Sequence, residues 1–135
     1  MKKYDLQGID LNVPKSKAFS FIVEADNLPK WTNAFASVNQ NKAVMQTPAG
    51  KVDVDLEVYA SADLGTVDWQ MTFPDQSVAT AFSRITEIDK NQCVYSFVLN
   101  PPPVPLEYIE GALKAQSQIL EEELSKLKEL LEDNG

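Results

Sequence analysis

The side chains able to perform chemistry are few, because the sequence contains no histidine. Its absence excludes Ser-His-Asp and Cys-His nucleophilic catalysis as well as histidine-ligated metals. The sequence also has no glycine-rich phosphate loop and no Cys/His cluster, so we expect neither a metal site nor a cofactor. Cys93 is the single cysteine. Without a histidine to activate it, we interpret Cys93 as a small buried apolar residue rather than a nucleophile.

Two polar residues on predicted strands are candidates for ligand recognition or catalysis. Tyr95 alternates with apolar residues on the last predicted strand, and a buried phenol needs a hydrogen-bond partner that a ligand can supply. Arg84 is the only arginine. If its side chain faced the interior, the buried positive charge would need a negatively charged partner. If it faced solvent, it would pair with carboxylates on neighbouring strands and contribute little to stability. We favour the solvent-facing position because charged residues are rarely buried, and catalytic residues stay unassigned.

Carboxylates are abundant, but their positions indicate a solvated surface rather than an acid–base pair. Between residues 51 and 59 acidic residues alternate with valines and leucine, and Asp68 continues this pattern on the next strand. Such alternation is typical of an antiparallel sheet with one wet face. We interpret the run Glu121–Glu123 in the same way, as an exposed helical turn.

The elements that position these residues are predicted from periodicity. Leucines and isoleucine recur at steps of three, four or seven from Pro105 to Leu131 and predict one long amphipathic helix. Small and polar residues interrupt this apolar stripe at 111–117. The interruption is equally compatible with space for a ligand and with close packing of the helix against the sheet. Apolar and polar residues alternate cleanly at 66–73. At 77–88 both the odd-numbered and the even-numbered positions include apolar residues, so the pattern does not decide which set faces inward.

The first part of the chain predicts a strand and two short helices. Residues 3–13 alternate up to Pro14, after which Ser16 can cap a helix. A second helix is predicted with Pro29 in its first turn. Trp31 and Phe35, four residues apart, would lie on one side of that helix.

Composition limits the possible partners. The 135 residues suit one domain, 1–135, with one core, and the formal net charge is −8. This charge argues against nucleic acid as a partner. The sequence contains no run of apolar residues long enough for a membrane span and no signal-peptide pattern, so we expect a cytoplasmic protein. The oligomeric state stays open.

Two stretches resemble the START-like superfamily, also called SRPBCC. Residues Val13–Ile22, followed by Asp26–Trp31, are similar to the entry helix of the family and to its second helix with the pattern D-x-x-x-x-W. Leu113–Leu131 is similar to the closing helix. The resemblance covers the whole chain in order and spacing. It implies an α+β helix-grip fold, in which a curved antiparallel sheet of six or seven strands wraps around the long C-terminal helix.

The resemblance also implies a hydrophobic cavity between the sheet and this helix, occupied by a small apolar or amphipathic molecule such as a lipid or polyketide. Two alternatives stay open: a polyketide cyclase or dehydratase using Tyr95 and Arg84, and a protein-interaction module with a filled core. The candidate ligand-binding residues are those predicted to face the cavity: Trp31, Phe35, Val54, Leu56, Val58, Trp69, Met71, Phe82, Tyr95, Phe97, Leu113, Gln116, Ser117 and Leu120.

Overall fold

The computed structural model describes residues 4–47, 50–99 and 109–133, without the side chains at positions 47, 99 and 109–115. The elements follow in the order β1 (Asp5–Leu11), α1 (Lys15–Ile22), a 3-10 turn (Ala25–Asn27), α2 (Leu28–Trp31), β2 (Phe35–Asn39), β3 (Lys42–Thr47), β4 (Gly50–Ser61), β5 (Thr66–Thr72), β6 (Val78–Asp89), β7 (Gln92–Leu99) and α3 (Ile109–Asp133). None of the helices within these ranges is long and apolar enough to cross a membrane.

The strands form one antiparallel sheet in the order β1-β7-β6-β5-β4-β3-β2. Strands β2 to β7 follow one another as hairpins, while β1 pairs with β7, the last strand of the chain. The helices α1 and α2 therefore connect the two edges of the sheet. This arrangement confirms the predicted α+β architecture, and the sheet has seven strands where six or seven were predicted.

The two faces of β4 and β5 differ as their alternation predicts. Leu56 lies opposite Met71, and Val58 lies opposite Trp69 on the neighbouring strand. These side chains are buried or half-buried on the face that carries the core. The acidic residues between them on β4 are exposed, so the solvated-face interpretation is correct for Asp53, Asp55 and Glu57.

The structure settles the inward face of β6, which periodicity left undecided. Ser83 and Ile85 are buried, whereas Phe82 is 47% exposed and lies on the outer face. The placement of Phe82 among the cavity-facing residues was therefore wrong. Trp69 lies opposite Ala81, and Phe97 lies opposite Ser83, so small side chains on β6 face large ones on its neighbours. The limited space on the inner face, rather than the hydrophobicity of the side chains, explains why the small residues of β6 face inward.

The connection between β1 and β2 corrects two local predictions. Ser16 does not cap α1, because Pro14 occupies the N-cap position. The second helix is a single turn that ends at Trp31, and Phe35 is the first residue of β2 rather than part of that helix. Both Trp31 and Phe35 are nevertheless buried in the core.

Helix α3 covers the core with one apolar stripe. Leu120, Leu124, Leu127 and Leu131 are buried and recur at steps of four and three. The helix ends at Asp133, two residues beyond the predicted end, and its predicted start, from Pro105 to Tyr108, lies outside the described residues. In the described part of the chain, α3 contacts β1, α1 and α2.

Candidate ligand-binding site

Four aromatic side chains lie together in the interior, and we call them the aromatic cluster: Trp31, Trp69, Tyr95 and Phe97. The ring centroid of Trp31 is 6.4 Å from that of Trp69 and 6.2 Å from that of Tyr95. Phe97 lies 6.5 Å from both Trp69 and Tyr95. The rings are tilted, edge-on or stacked, which are the arrangements that aromatic pairs prefer.

Three elements position these rings. Trp31 is the last residue of α2, where the Thr32 N–H donates to the carbonyl oxygen of Leu28 and closes the helical turn. Trp69 lies in the middle of β5, and Tyr95 and Phe97 are successive inward-facing residues of β7. Strand period two brings the latter pair to the same face. The cluster therefore joins the connecting segment to the centre of the sheet.

Among the described residues, three polar atoms of the aromatic cluster find no hydrogen-bond partner: the indole Nε1 of Trp31, the indole Nε1 of Trp69 and the phenol oxygen of Tyr95. The two tryptophans are each 2% exposed and Tyr95 is fully buried. Buried polar groups in native proteins are nearly always hydrogen-bonded, since leaving one unpaired costs about 1–3 kcal/mol. Three such atoms in one cluster mark a part of the interior where the surrounding side chains leave polar groups without hydrogen bonds.

Tyr95 is held in its neutral form. Burial raises the pKa of Tyr95 well above its usual value, the neighbouring Ser83 hydroxyl lowers it, and the negative charge of Asp68 raises it further. Within the described residues the phenol oxygen has no hydrogen-bond partner, Ser83 included. The Ser83 Oγ–H instead donates to the carbonyl oxygen of Val67 at 2.5 Å. The phenol is therefore a neutral, buried and unpaired hydrogen-bonding group.

Most of the other predicted site residues belong to the same hydrophobic core as this cluster. Phe35, Val54, Leu56, Met71 and Leu120 are buried, and Val58 is half-buried against the same core. Gln116 is half-buried on α3, and the side chain of Leu113 lies outside the described residues. Phe82 is the member that the structure separates from the rest.

Ser117 has a structural role at the edge of the sheet. Its Oγ–H donates to Asp5 Oδ2 at 2.5 Å, and Gln7 Nε2 donates to the carbonyl oxygen of Ser117 at 2.8 Å and to its Oγ at 2.9 Å. These contacts attach α3 to β1. The polar interruption in the leucine stripe is thus explained at Ser117 by helix–sheet attachment, and residue spacing alone gave no signal for Asp5 or Gln7.

Glu123 makes a second attachment that sequence reasoning missed, because it was interpreted as part of a solvated helical turn. Its carboxylate accepts a hydrogen bond from the Asn33 N–H at 2.6 Å, in the loop that follows Trp31. Burial raises the pKa of Glu123, and hydrogen bonds from the backbone of Asn33 and Ala34 partly offset that effect. Helix α3 is therefore tied to the loop between α2 and β2 beside the aromatic cluster.

Arg84 lies on the outer face of β6. Its Nε–H donates to the carbonyl oxygen of Leu64 at 3.2 Å, and the residue is exposed. The solvent-facing position favoured from the sequence is therefore correct. A cation at this position cannot polarise a molecule held between the sheet and α3.

Other possible sites in the described part of the chain are weak. No group of three histidine, cysteine, aspartate or glutamate side chains there could hold a metal ion. Surface hollows run along the outer face of α3 beside Glu122 and Lys126, and at the β4–β5 end beside Asp53 and Phe73. Neither hollow is lined by a ring of the aromatic cluster.

Comparison with solved structures identifies the fold. The chain is similar over 98% of its length to 97% of the protein XoxI from Bacillus cereus, with a TM-score of 0.71 and 14% identity. It matches a START superfamily protein from Mycobacterium smegmatis over 98% of this chain and 99% of that one, with a TM-score of 0.69 and 10% identity. The Zhui aromatase/cyclase from Streptomyces sp. R1128 matches over 95% and 90%, with a TM-score of 0.62 and 6% identity.

The chain therefore has the START-like, helix-grip fold, as the sequence resemblance implied. No protein-family model matches the sequence, and a search of curated proteins gives no match. At these low identities the likeness establishes the fold and leaves the function to be argued from the site.

Proposed function

We propose that this protein binds a small hydrophobic or amphipathic molecule at the aromatic cluster, between the sheet and α3. The observation that carries the proposal is the set of three fully buried polar atoms without partners, on Trp31, Trp69 and Tyr95. Apolar sites with a few convergent polar groups are the usual form of small-molecule sites. The surrounding side chains of β4, β5 and β7 supply the apolar wall.

Binding has more support than catalysis. In the described part of the chain, the buried residues include only a phenol and a thiol as titratable groups, Tyr95 and Cys93. Burial raises the pKa of both groups, so neither is prepared to act as a base near neutral pH. A cyclase that relies on Arg84 is also disfavoured, since Arg84 lies on the opposite face of the sheet.

The proposal can be tested with tryptophan fluorescence, because Trp31 and Trp69 are the only tryptophans and both belong to the cluster. The purified protein would be titrated with fatty acids, flavonoids, polyketide-like aromatics and quinones. We expect saturable quenching by at least one class. A flat response from the folded protein across the panel would contradict the proposal and favour a protein-interaction module with a filled core.

A matched pair of variants locates the site. Gln116 is half-buried on α3, and Gln118 is exposed on the same helix. Gln116→Phe should weaken the binding by filling space next to the sheet, whereas Gln118→Phe should leave it unchanged. Equal effects of the two substitutions would place the ligand elsewhere.

A further inference from the structure

Resting on the proposed function, we infer that the buried end of the ligand is an uncharged oxygen acceptor, such as a ketone, quinone or ester carbonyl, held by the unpaired donors of the aromatic cluster.

The unpaired atoms are mainly donors. The indole nitrogens of Trp31 and Trp69 can donate a hydrogen bond and cannot accept one, whereas the phenol of Tyr95 can do either. A ligand group that only donates would leave both indoles unpaired. A group with an oxygen lone pair can be paired by any of the three atoms. The cluster therefore selects for an acceptor.

The surroundings disfavour a negatively charged acceptor. The buried residues in the described part of the chain include no lysine or arginine, so a carboxylate there would lose its hydration without gaining a cation. Two acidic groups act on this region: the charge of Asp68 acts on Tyr95, and Glu123 is bonded to the loop after Trp31. Their field opposes an incoming anion, as does the net charge of −8.

The test uses ligands that differ in one group. Fluorenone and fluorene share a flat outline and differ by a carbonyl oxygen against two hydrogens, and fluorene-9-carboxylate adds a charge. Indanone and indane repeat the comparison at a smaller size. Binding would be followed by two-dimensional ¹H–¹⁵N NMR of the full chain, in which Trp31 and Trp69 each give one indole signal.

We expect each ketone to bind more tightly than its hydrocarbon, roughly three- to tenfold for each hydrogen bond formed. The carboxylate should bind more weakly than the ketone. At least one indole proton should move downfield with the ketone and not with the hydrocarbon, because only the ketone offers an acceptor. Assignment of the two signals follows from Trp31→Phe.

Tyr95→Phe removes the unpaired phenol oxygen while keeping the ring. It should reduce the preference for the ketone over its hydrocarbon severalfold. Tyr59→Phe is the matched control, since Tyr59 lies exposed on the outer face of β4 with its hydroxyl bonded to Glu57. That control should keep the full ketone preference.

The outcomes separate this inference from the function on which it rests. Equal affinity for ketone and hydrocarbon, with unmoved indole signals, would mean that the polar atoms bond to buried water or to ring faces, and would overturn the inference while the binding function stands. Tightest binding of the carboxylate would overturn it as well. No binding of any compound to the folded protein would overturn both.

Discussion

Two regions of the interior are built differently, although both belong to one hydrophobic core. Beneath the C-terminal half of α3 the core is aliphatic, with Leu124, Leu127 and Leu131 buried. Lys128 borders this region, donating to the carbonyl oxygen of Asp10 at 2.7 Å and pairing with Glu132 at 2.6 Å. The aromatic cluster instead contains polar atoms with no partner.

The difference shows which region is optimised for stability. An aliphatic core gains free energy from every buried methylene and has no polar atom to satisfy. Each unpaired polar atom costs about 1–3 kcal/mol, which is large beside a total stability of about 5–15 kcal/mol for a typical domain. Phenylalanine at Tyr95 would avoid that cost. The aromatic cluster is therefore not optimised for stability in the way that the aliphatic region is.

Truncation in the aliphatic region gives the largest expected effect. Leu127→Ala should lower the free energy of unfolding by about 2–5 kcal/mol, because Leu127 is completely buried and its loss leaves a cavity. Urea denaturation measures this change. Ile119→Ala on the same helix is the control, since Ile119 is 43% exposed and should cost much less. Similar losses for both variants would contradict the description of α3 as a one-sided cover.

The attachment beside the cluster gives an intermediate effect. Glu123→Ala leaves the amides of Asn33 and Ala34 without their acceptor and should lower the free energy of unfolding by about 1–3 kcal/mol. Glu123→Gln keeps an acceptor oxygen and should be much less harmful. Chemical denaturation of both variants at pH 7 would measure the difference.

Comparison of wild type with Glu123→Gln also predicts how the free energy of unfolding changes with pH. The folded-state pKa of Glu123 is raised, so folding favours its protonated form. Its contribution is fully present below the unfolded pKa and is lost as pH rises through the folded pKa. As pH rises from about 4 to about 7, the stability of Glu123→Gln relative to wild type should therefore increase. The opposite trend would mean that the amide hydrogen bonds outweigh burial.

The smallest effect is expected in the aromatic cluster, and it has the opposite sign. Without ligand, Tyr95→Phe should raise the free energy of unfolding by about 1 kcal/mol, because it removes a buried hydroxyl that has no partner. A clear loss of stability would show that the hydroxyl is paired in the free protein, and would remove the contrast between the two regions. Differential scanning calorimetry in ligand-free buffer measures it.

The raised pKa of Tyr95 adds an alkaline signature. The unfolded chain ionises this phenol near pH 10 while the folded chain keeps it neutral, so its contribution to stability falls as pH rises above about 10. Wild type should therefore lose stability more steeply than Tyr95→Phe in that range. Equal slopes would show that the phenol ionises in the folded protein.

The sequence predicted the fold well because most of its elements repeat a clear period. Alternation on β4 and β5 identified their wet faces, and leucine spacing identified α3. Strand β6 could not be resolved, since its inner face carries Ala81 and Ser83 opposite Trp69 and Phe97, and its outer face carries Phe82. The fit of small side chains on one strand against large ones on the next depends on the folded sheet, and the residue pattern of a single strand does not reveal it.

The candidate site was predicted in its residue types more than in its polar detail. Trp31, Trp69 and Tyr95 were named as interior residues, but their lack of partners depends on what lies opposite each atom in the fold. The same limit applies to Glu123 and Ser117, whose partners are about 90 and 112 residues away in sequence. Long-range pairing of this kind leaves no local pattern.

The pairing of β1 with β7 has a consequence for the order of events during folding. Its partners join the beginning of the described chain to positions 93–99, so the sheet cannot be completed until nearly all of the strands exist. Contacts of such sequence separation form slowly because a long loop must close first. Tyr95 and Phe97 lie on that same strand, so the aromatic cluster is complete only once β7 has taken its place in the sheet. A newly made chain that stalls before this step would contain both tryptophans without the rings of Tyr95 and Phe97 packed against them.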